Sequence, residues 1–124
     1  MTLEELDRWL DVYGNAWENK DVDGFVECFA PDALYFWGPW GEPLQGHDAI
    51  RATTEQAVSG QDNVRFGHES LAITPDARGI ARWWVSMDVP GEGVELEGIF
   101  LVTLDEDGRC TDFREWWNSR PRPA

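Results

Sequence analysis

Apolar residues recur along this chain at two different periods, and the change of period divides it in two. Leu3, Leu6, Trp9, Leu10, Tyr13 and Trp17 return every three or four positions, the spacing of one buried helix face. Thr2 and Glu5 ahead of them make a capping box, so a helix is predicted from there to about Asn19. Asp21 is a fit N-cap for a second, short helix reaching Phe29, which Pro31 stops by disfavouring helix in the residue before it. Residues 33–37 read as a strand, cut by the glycine- and proline-rich loop 38–43, and residues 46–58 as a third helix ended near Ser59 and Gly60.

Beyond that point the period falls to two. Residues 64–74, 79–89, 94–104 and 109–118 alternate as four strands, joined by short turns at Pro75-Asp76, residues 90–93 and residues 105–108. Such turns are too short for parallel crossovers, so the four strands form an antiparallel meander. Two helices, a strand, a helix and four strands give an α+β fold, with helices laid against one face of a strongly curved sheet. Residues 1–118 are predicted to be a single domain and residues 119–124 a loose tail.

Composition narrows the chemistry. A length of 124 residues suits one domain with one core, and 42% hydrophobic residues with eight tryptophans argue against disorder. A net charge of −14 disfavours phosphate backbones and anionic membrane surfaces as partners. The N-terminus carries no apolar leader pattern and the chain no run long enough to span a bilayer, so a cytoplasmic location is expected. Cys28 and Cys110 lie far apart and match no metal spacing; free buried thiols are the default reading, with a disulfide left open. No phosphate-binding glycine loop and no nucleophile–histidine pattern is present, so neither a metal nor a cofactor is expected.

The last strand carries the candidate chemistry. Successive side chains on a strand point to opposite faces, so Phe113, Glu115 and Trp117 share one face and Asp112, Arg114 and Trp116 the other. Glu115 is a carboxylate where the pattern expects an apolar residue. Aromatic neighbours disfavour its charged form and raise its pKa towards general acid–base range; the plainer reading is a structural carboxylate paired with a nearby donor. In the 79–89 strand, Ala81, Trp83, Val85 and Met87 make the better pocket face, leaving Arg82, Trp84, Ser86 and Asp88 outside. His68 shares a strand face with Phe66, Ser70 and Ala72, with the register open because Gly67 could mark a bulge.

This order of elements resembles the cone-shaped fold shared by nuclear transport factor 2, ketosteroid isomerase, scytalone dehydratase, limonene epoxide hydrolase and the SnoaL-type polyketide cyclases. The phrases running from Trp17 to Phe25 and from Phe29 to Ala33 look like the family's entry into its first strand. Gly46-His47-Asp48-Ala49-Ile50 looks like its third-helix start, and Asp107 to Arg109 followed by Phe113 to Trp117 like its closing strand. The resemblance implies a pocket between helices and concave sheet, and a homodimer through the outer sheet face. Placed on this sequence, the isomerase's oxyanion-hole tyrosine falls on Tyr13, its general base on Trp37 and its second oxyanion-hole acid near Phe100, so that route keeps one position of three. An epoxide-hydrolase relay would need Arg82 and Asp88 in the pocket, and the cyclases' proton-transferring histidine has only His47 and His68 as candidates. The expectation is therefore a small hydrophobic metabolite, polycyclic or terpenoid, in a cavity lined by Trp17, Tyr35, Trp37, Trp83, Phe100, Phe113 and Trp117. Glu115 and His68 would exchange protons there and Tyr13 would polarise an oxygen, in an isomerase, cyclase or dehydratase. The alternative is a non-catalytic binding protein of the same fold.

Overall fold

The computed structural model describes residues 1–123. Helix α1 (Leu3–Glu18) starts where the sequence places it, with the Thr2 hydroxyl accepting from the Glu5 amide. Its apolar stripe buries Leu6, Trp9, Leu10 and Tyr13, and each such leucine contributes about 2 kcal/mol. Asp21 caps α2 (Val22–Glu27), its carboxylate accepting from the Gly24 amide. Helix α3 (Gly46–Ser59) buries Ile50, Thr54 and Val58 at four-residue spacing.

The strands are β1 (Phe29–Phe36), β2 (Leu44–Gln45), β3 (Asp62–Ile73), β4 (Gly79–Val89), β5 (Glu92–Leu104) and β6 (Cys110–Pro121). They form one mixed sheet in the order β2-β1-β6-β5-β4-β3, in which only the β1–β6 pair is parallel. The meander β3 to β6 follows the sequence expectation. The insertion of β1 beside β6 does not show in the sequence pattern, because the partners lie far apart in the chain. The expected loose tail is also corrected: β6 runs to Pro121, Arg120 pairs with Glu95, and the Arg122 amide donates to the Gly93 carbonyl. Two arginine–carboxylate contacts and continued strand pairing hold this segment down.

Two glycines shape the sheet. A Cβ on Gly98 would run into the backbone carbonyl of Trp116, so β6 bends over β5 more closely than any other residue allows. A Cβ on Gly67 would overlap the Trp84 indole, which lies across the glycine while Arg82 stacks on the indole at 4.6 Å. Gly67 therefore marks a close approach. The irregularities in β3 fall instead between Asp62 and Arg65 and between Ser70 and Ala72, and the second moves Ala72 off the face that Phe66, His68 and Ser70 share.

Candidate functional site

Helices and concave sheet enclose a cavity of about 220 Å³. Tyr13 and Trp17 of α1 form one wall, and Thr54 and Val58 of α3 with Gln61 form another. The sheet supplies Tyr35, Trp83, Met87, Leu96, Glu115 and Trp117, with Trp37 just past β1. Trp37 and Trp117 are the half-exposed members, and Trp117 donates its indole N–H to the Trp37 carbonyl at 3.0 Å. They mark the mouth.

Strand alternation puts Glu115 inside. Phe113, Glu115 and Trp117 take the concave face, and Tyr35 enters beside them because β1 pairs in parallel, with Tyr35 opposite Phe113. Glu115 is only 5% exposed. Burial pushes its carboxyl up to about 8, opposed in part by a hydrogen bond from the Tyr35 hydroxyl. The Tyr35 oxygen lies 3.4 Å from the Tyr13 oxygen. Burial, and then the nearby Glu115, hold both phenols well above their ordinary range, so neither ionises near neutrality. Trp17 donates to the Gln61 side-chain oxygen at 2.7 Å, which fixes the α1–α3 corner. The indole N–H of Trp83 is buried without an acceptor, an omission that costs about 1–3 kcal/mol.

Of the residues singled out in the sequence, Glu115, Tyr13, Trp17, Tyr35, Trp37, Trp83 and Trp117 meet around this cavity. Phe100 and Phe113 do not line it. Both are fully buried behind Tyr13, at ring separations of 5.6 and 5.4 Å, where they seat the tyrosine. His68 is also outside. Its strand lies at the sheet edge where α1 crosses, and its Nε2 meets Asp11 at 2.7 Å in an open groove that also holds Asp7 and Ser70. Proton exchange between Glu115 and His68 is thus excluded by position, and His68 ties β3 to α1. His47 bonds the Phe29 carbonyl at 2.7 Å, anchoring α3 to β1. Arg82 pairs with Glu97 and Arg122 with Asp88 on the outer face, so no arginine–aspartate relay enters the cavity.

The sequence reading missed Phe25, Thr54, Ala57, Val58, Gln61 and Leu96 as lining residues. Thr54 and Val58 carried a signal in the four-residue stripe begun by Ile50; Gln61, beyond the helix end, carried none. Among the described residues no group of three His, Cys, Asp or Glu could hold a metal ion, and no helix is long and apolar enough to cross a membrane. Both cysteines are free and buried. Burial raises both thiols, Cys28 to about 12, so they are inert as nucleophiles.

Comparison with known proteins adds the following. Residues 7–113 match the SnoaL-like domain. No curated protein sequence matches the chain. Among solved structures, Rv0760c from Mycobacterium tuberculosis superposes with a TM-score of 0.83 at 16% identity, covering 98% of this chain and 99% of its own. A Δ5-3-ketosteroid isomerase from Mycobacterium sp. gives 0.80 at 16% identity, covering 95% and 98%. An epoxide hydrolase from M. tuberculosis gives 0.71 at 16% identity, covering 93% and 84%.

Proposed function

Because the chain belongs to the SnoaL-like domain family, whose fold supplies a pocket but no fixed chemistry, we propose that it binds a small, neutral, largely apolar molecule and performs acid–base chemistry on it with Glu115. The carrying observation is the carboxyl of Glu115, buried among aromatic side chains of a cavity and poised near neutral pH. A group that titrates near the working pH is present in both protonation states, which general acid–base catalysis needs. Tyr13, which lines the same cavity, is the donor that would polarise a ligand oxygen. The orphan indole N–H of Trp83 supports a ligand with an acceptor atom, since an acceptor would relieve its cost. A volume of about 220 Å³ holds about seven waters' worth of liquid. That suits roughly ten to fifteen heavy atoms, is smaller than most ligand pockets, and favours a mono- or bicyclic, terpenoid-sized molecule over a larger polycyclic one.

The cavity also supports a second reading, a binding protein without turnover. Among the described residues that line the cavity, Tyr13 and Tyr35 are the ionisable ones besides Glu115, and both are held neutral. A thermal-shift screen of flat apolar ketones, alcohols and terpenoids on the wild type and Glu115→Gln in parallel separates the two. Under the first reading a ligand stabilises both proteins by mass action and only the wild type converts it. Binding to both with conversion by neither would replace it with the second.

The outer sheet face is proposed as the seat of a second copy. Trp84, Ile99 and Trp116 are between 36% and 42% exposed there. Around them Arg65, Arg82, Arg114 and Arg120 balance Glu69, Glu95, Glu97 and Asp112, so this face is near neutral on a chain of net charge −14. Two copies meet with least repulsion here.

A further inference from the structure

Three indoles around the core have their N–H groups paired within the chain. Trp9 donates to the Cys28 carbonyl at 2.9 Å, Trp17 to the Gln61 side chain at 2.7 Å and Trp117 to the Trp37 carbonyl at 3.0 Å. Trp83 differs. It is 2% exposed, and its N–H meets no acceptor. The rings packed on it are Phe100, stacked at 4.8 Å, with Trp17 and Phe66 further out. None of these three side chains carries an acceptor. Across the β3–β4 ladder stands His68, whose buried Nδ1 is also unpartnered, but no hydrogen bond joins the two, and His68 faces the α1 groove. The side that remains is the cavity, which Trp83 helps to line.

We propose that Trp83 is a specificity-determining residue: its indole N–H binds a carbonyl or ether oxygen of the ligand and selects it over the hydroxyl of the corresponding alcohol. This rests on the reading above that the cavity takes a small apolar molecule, and not on the chemistry of Glu115. An indole N–H only donates. A carbonyl or ether oxygen accepts from it and brings no proton of its own. A hydroxyl can accept as well, but its proton is then left among aromatic rings, and a buried donor without an acceptor costs about what the first bond returned. A hydrocarbon of the same shape leaves the indole unpaired. The register lets one molecule touch both Trp83 and Glu115. Trp83, Gly98 and Trp117 form one row across β4, β5 and β6, and Ala81, Phe100 and Glu115 form the next row on the same face. Ordinary strand spacings put the α-carbons of Trp83 and Glu115 roughly 12 Å apart, a span that two inward side chains and one small ring can fill.

The test compares three molecules of one skeleton, the ketone camphor, the alcohol borneol and the hydrocarbon camphane, on protein isotopically labelled at the tryptophan nitrogen. The Trp83 indole proton is identified by its nuclear Overhauser contact with the Phe100 ring and by its loss in Trp83→Phe. Camphor should move that proton downfield, the direction of a new hydrogen bond, and camphane should not. By calorimetry camphor should bind roughly tenfold to a hundredfold tighter than borneol or camphane. In Trp83→Phe, which keeps a ring against Phe100, the three should bind alike; if that variant does not fold, the wild-type comparison decides by itself. Camphor held no tighter than borneol or camphane, with the Trp83 signal unmoved, overturns the selection and spares the cavity reading, as does a preference for camphor that survives in Trp83→Phe. A Trp83 proton already at the hydrogen-bonded position in the free protein, and released by His68→Ala, also overturns it by making His68 the acceptor. Binding of none of the three, with no cavity tryptophan signal moved, sinks both.

Discussion

Glu115 costs the folded protein stability once it ionises. Its carboxyl has an ordinary value of 4.5 and is raised to about 8, chiefly by burial. A folded-state pKa above the unfolded one means that the native protein holds its proton longer. The contribution is then complete below about pH 4.5, is lost as pH rises towards 8, and is flat beyond. The loss across that window is on the order of 5 kcal/mol. Glu115→Gln, which cannot ionise, should therefore match the wild type in melting temperature at pH 5 and exceed it by on the order of 15 °C at pH 9. Equal dependence on pH in the two proteins would place the carboxyl in contact with water. Asp76 and Asp88 behave oppositely. Hydrogen bonds from Thr74 and from Asn63, respectively, lead the causes that lower their carboxyls, so their share is lost only towards acid. Trp83 also carries a cost, through its buried indole N–H, and shares the cavity with Glu115.

Among the elements, the close approach of β6 to β5 at Gly98 is the tightest joint. Gly98→Ala pushes a methyl group into the Trp116 carbonyl, and backbone can give way only by opening the sheet. A loss of roughly 3 kcal/mol or more in urea unfolding is expected. Gly93→Ala, which meets only the flexible end of Arg122, should cost less than about 1 kcal/mol. Similar costs at the two sites would show that β6 is free to move away. Elements with a local period were legible in the sequence: α1, α3 and the meander declared themselves by spacing, and strand alternation put Phe113, Glu115 and Trp117 on one face, which the family resemblance made the pocket side. What was not legible depended on distant partners. The parallel pairing of β1 with β6, the small strand β2 and the full length of β6 need contacts that local patterns do not encode. His68 misled for the same reason: alternation gave its face, but the crossing of α1 decided what covers it. Phe100 and Phe113 were assigned to the correct face and the wrong depth, because Tyr13 lies over them.

At the scale of the whole molecule, the distribution of charge and exposed indoles supports assembly through the convex face. Trp84→Asp with Trp116→Asp puts carboxylates on the near-neutral patch of a chain already at −14. Light scattering should show twice the chain mass for the wild type and one chain mass for the double variant, with unchanged helix and strand signals. A wild-type monomer, or a dimer that survives both changes, would sink this placement. The parallel seam between β1 and β6 has a kinetic consequence. The bond from Trp117 to Trp37 joins positions 80 residues apart, and contacts of such separation form late because the intervening chain must first be ordered. After dilution from denaturant, the helical signal of α1 should recover first and the tryptophan emission of the cavity mouth last. A protein arrested between these stages would have helices and a meander but an unwalled cavity, so ligands able to fill it should leave the first phase unchanged and slow unfolding from the completed state.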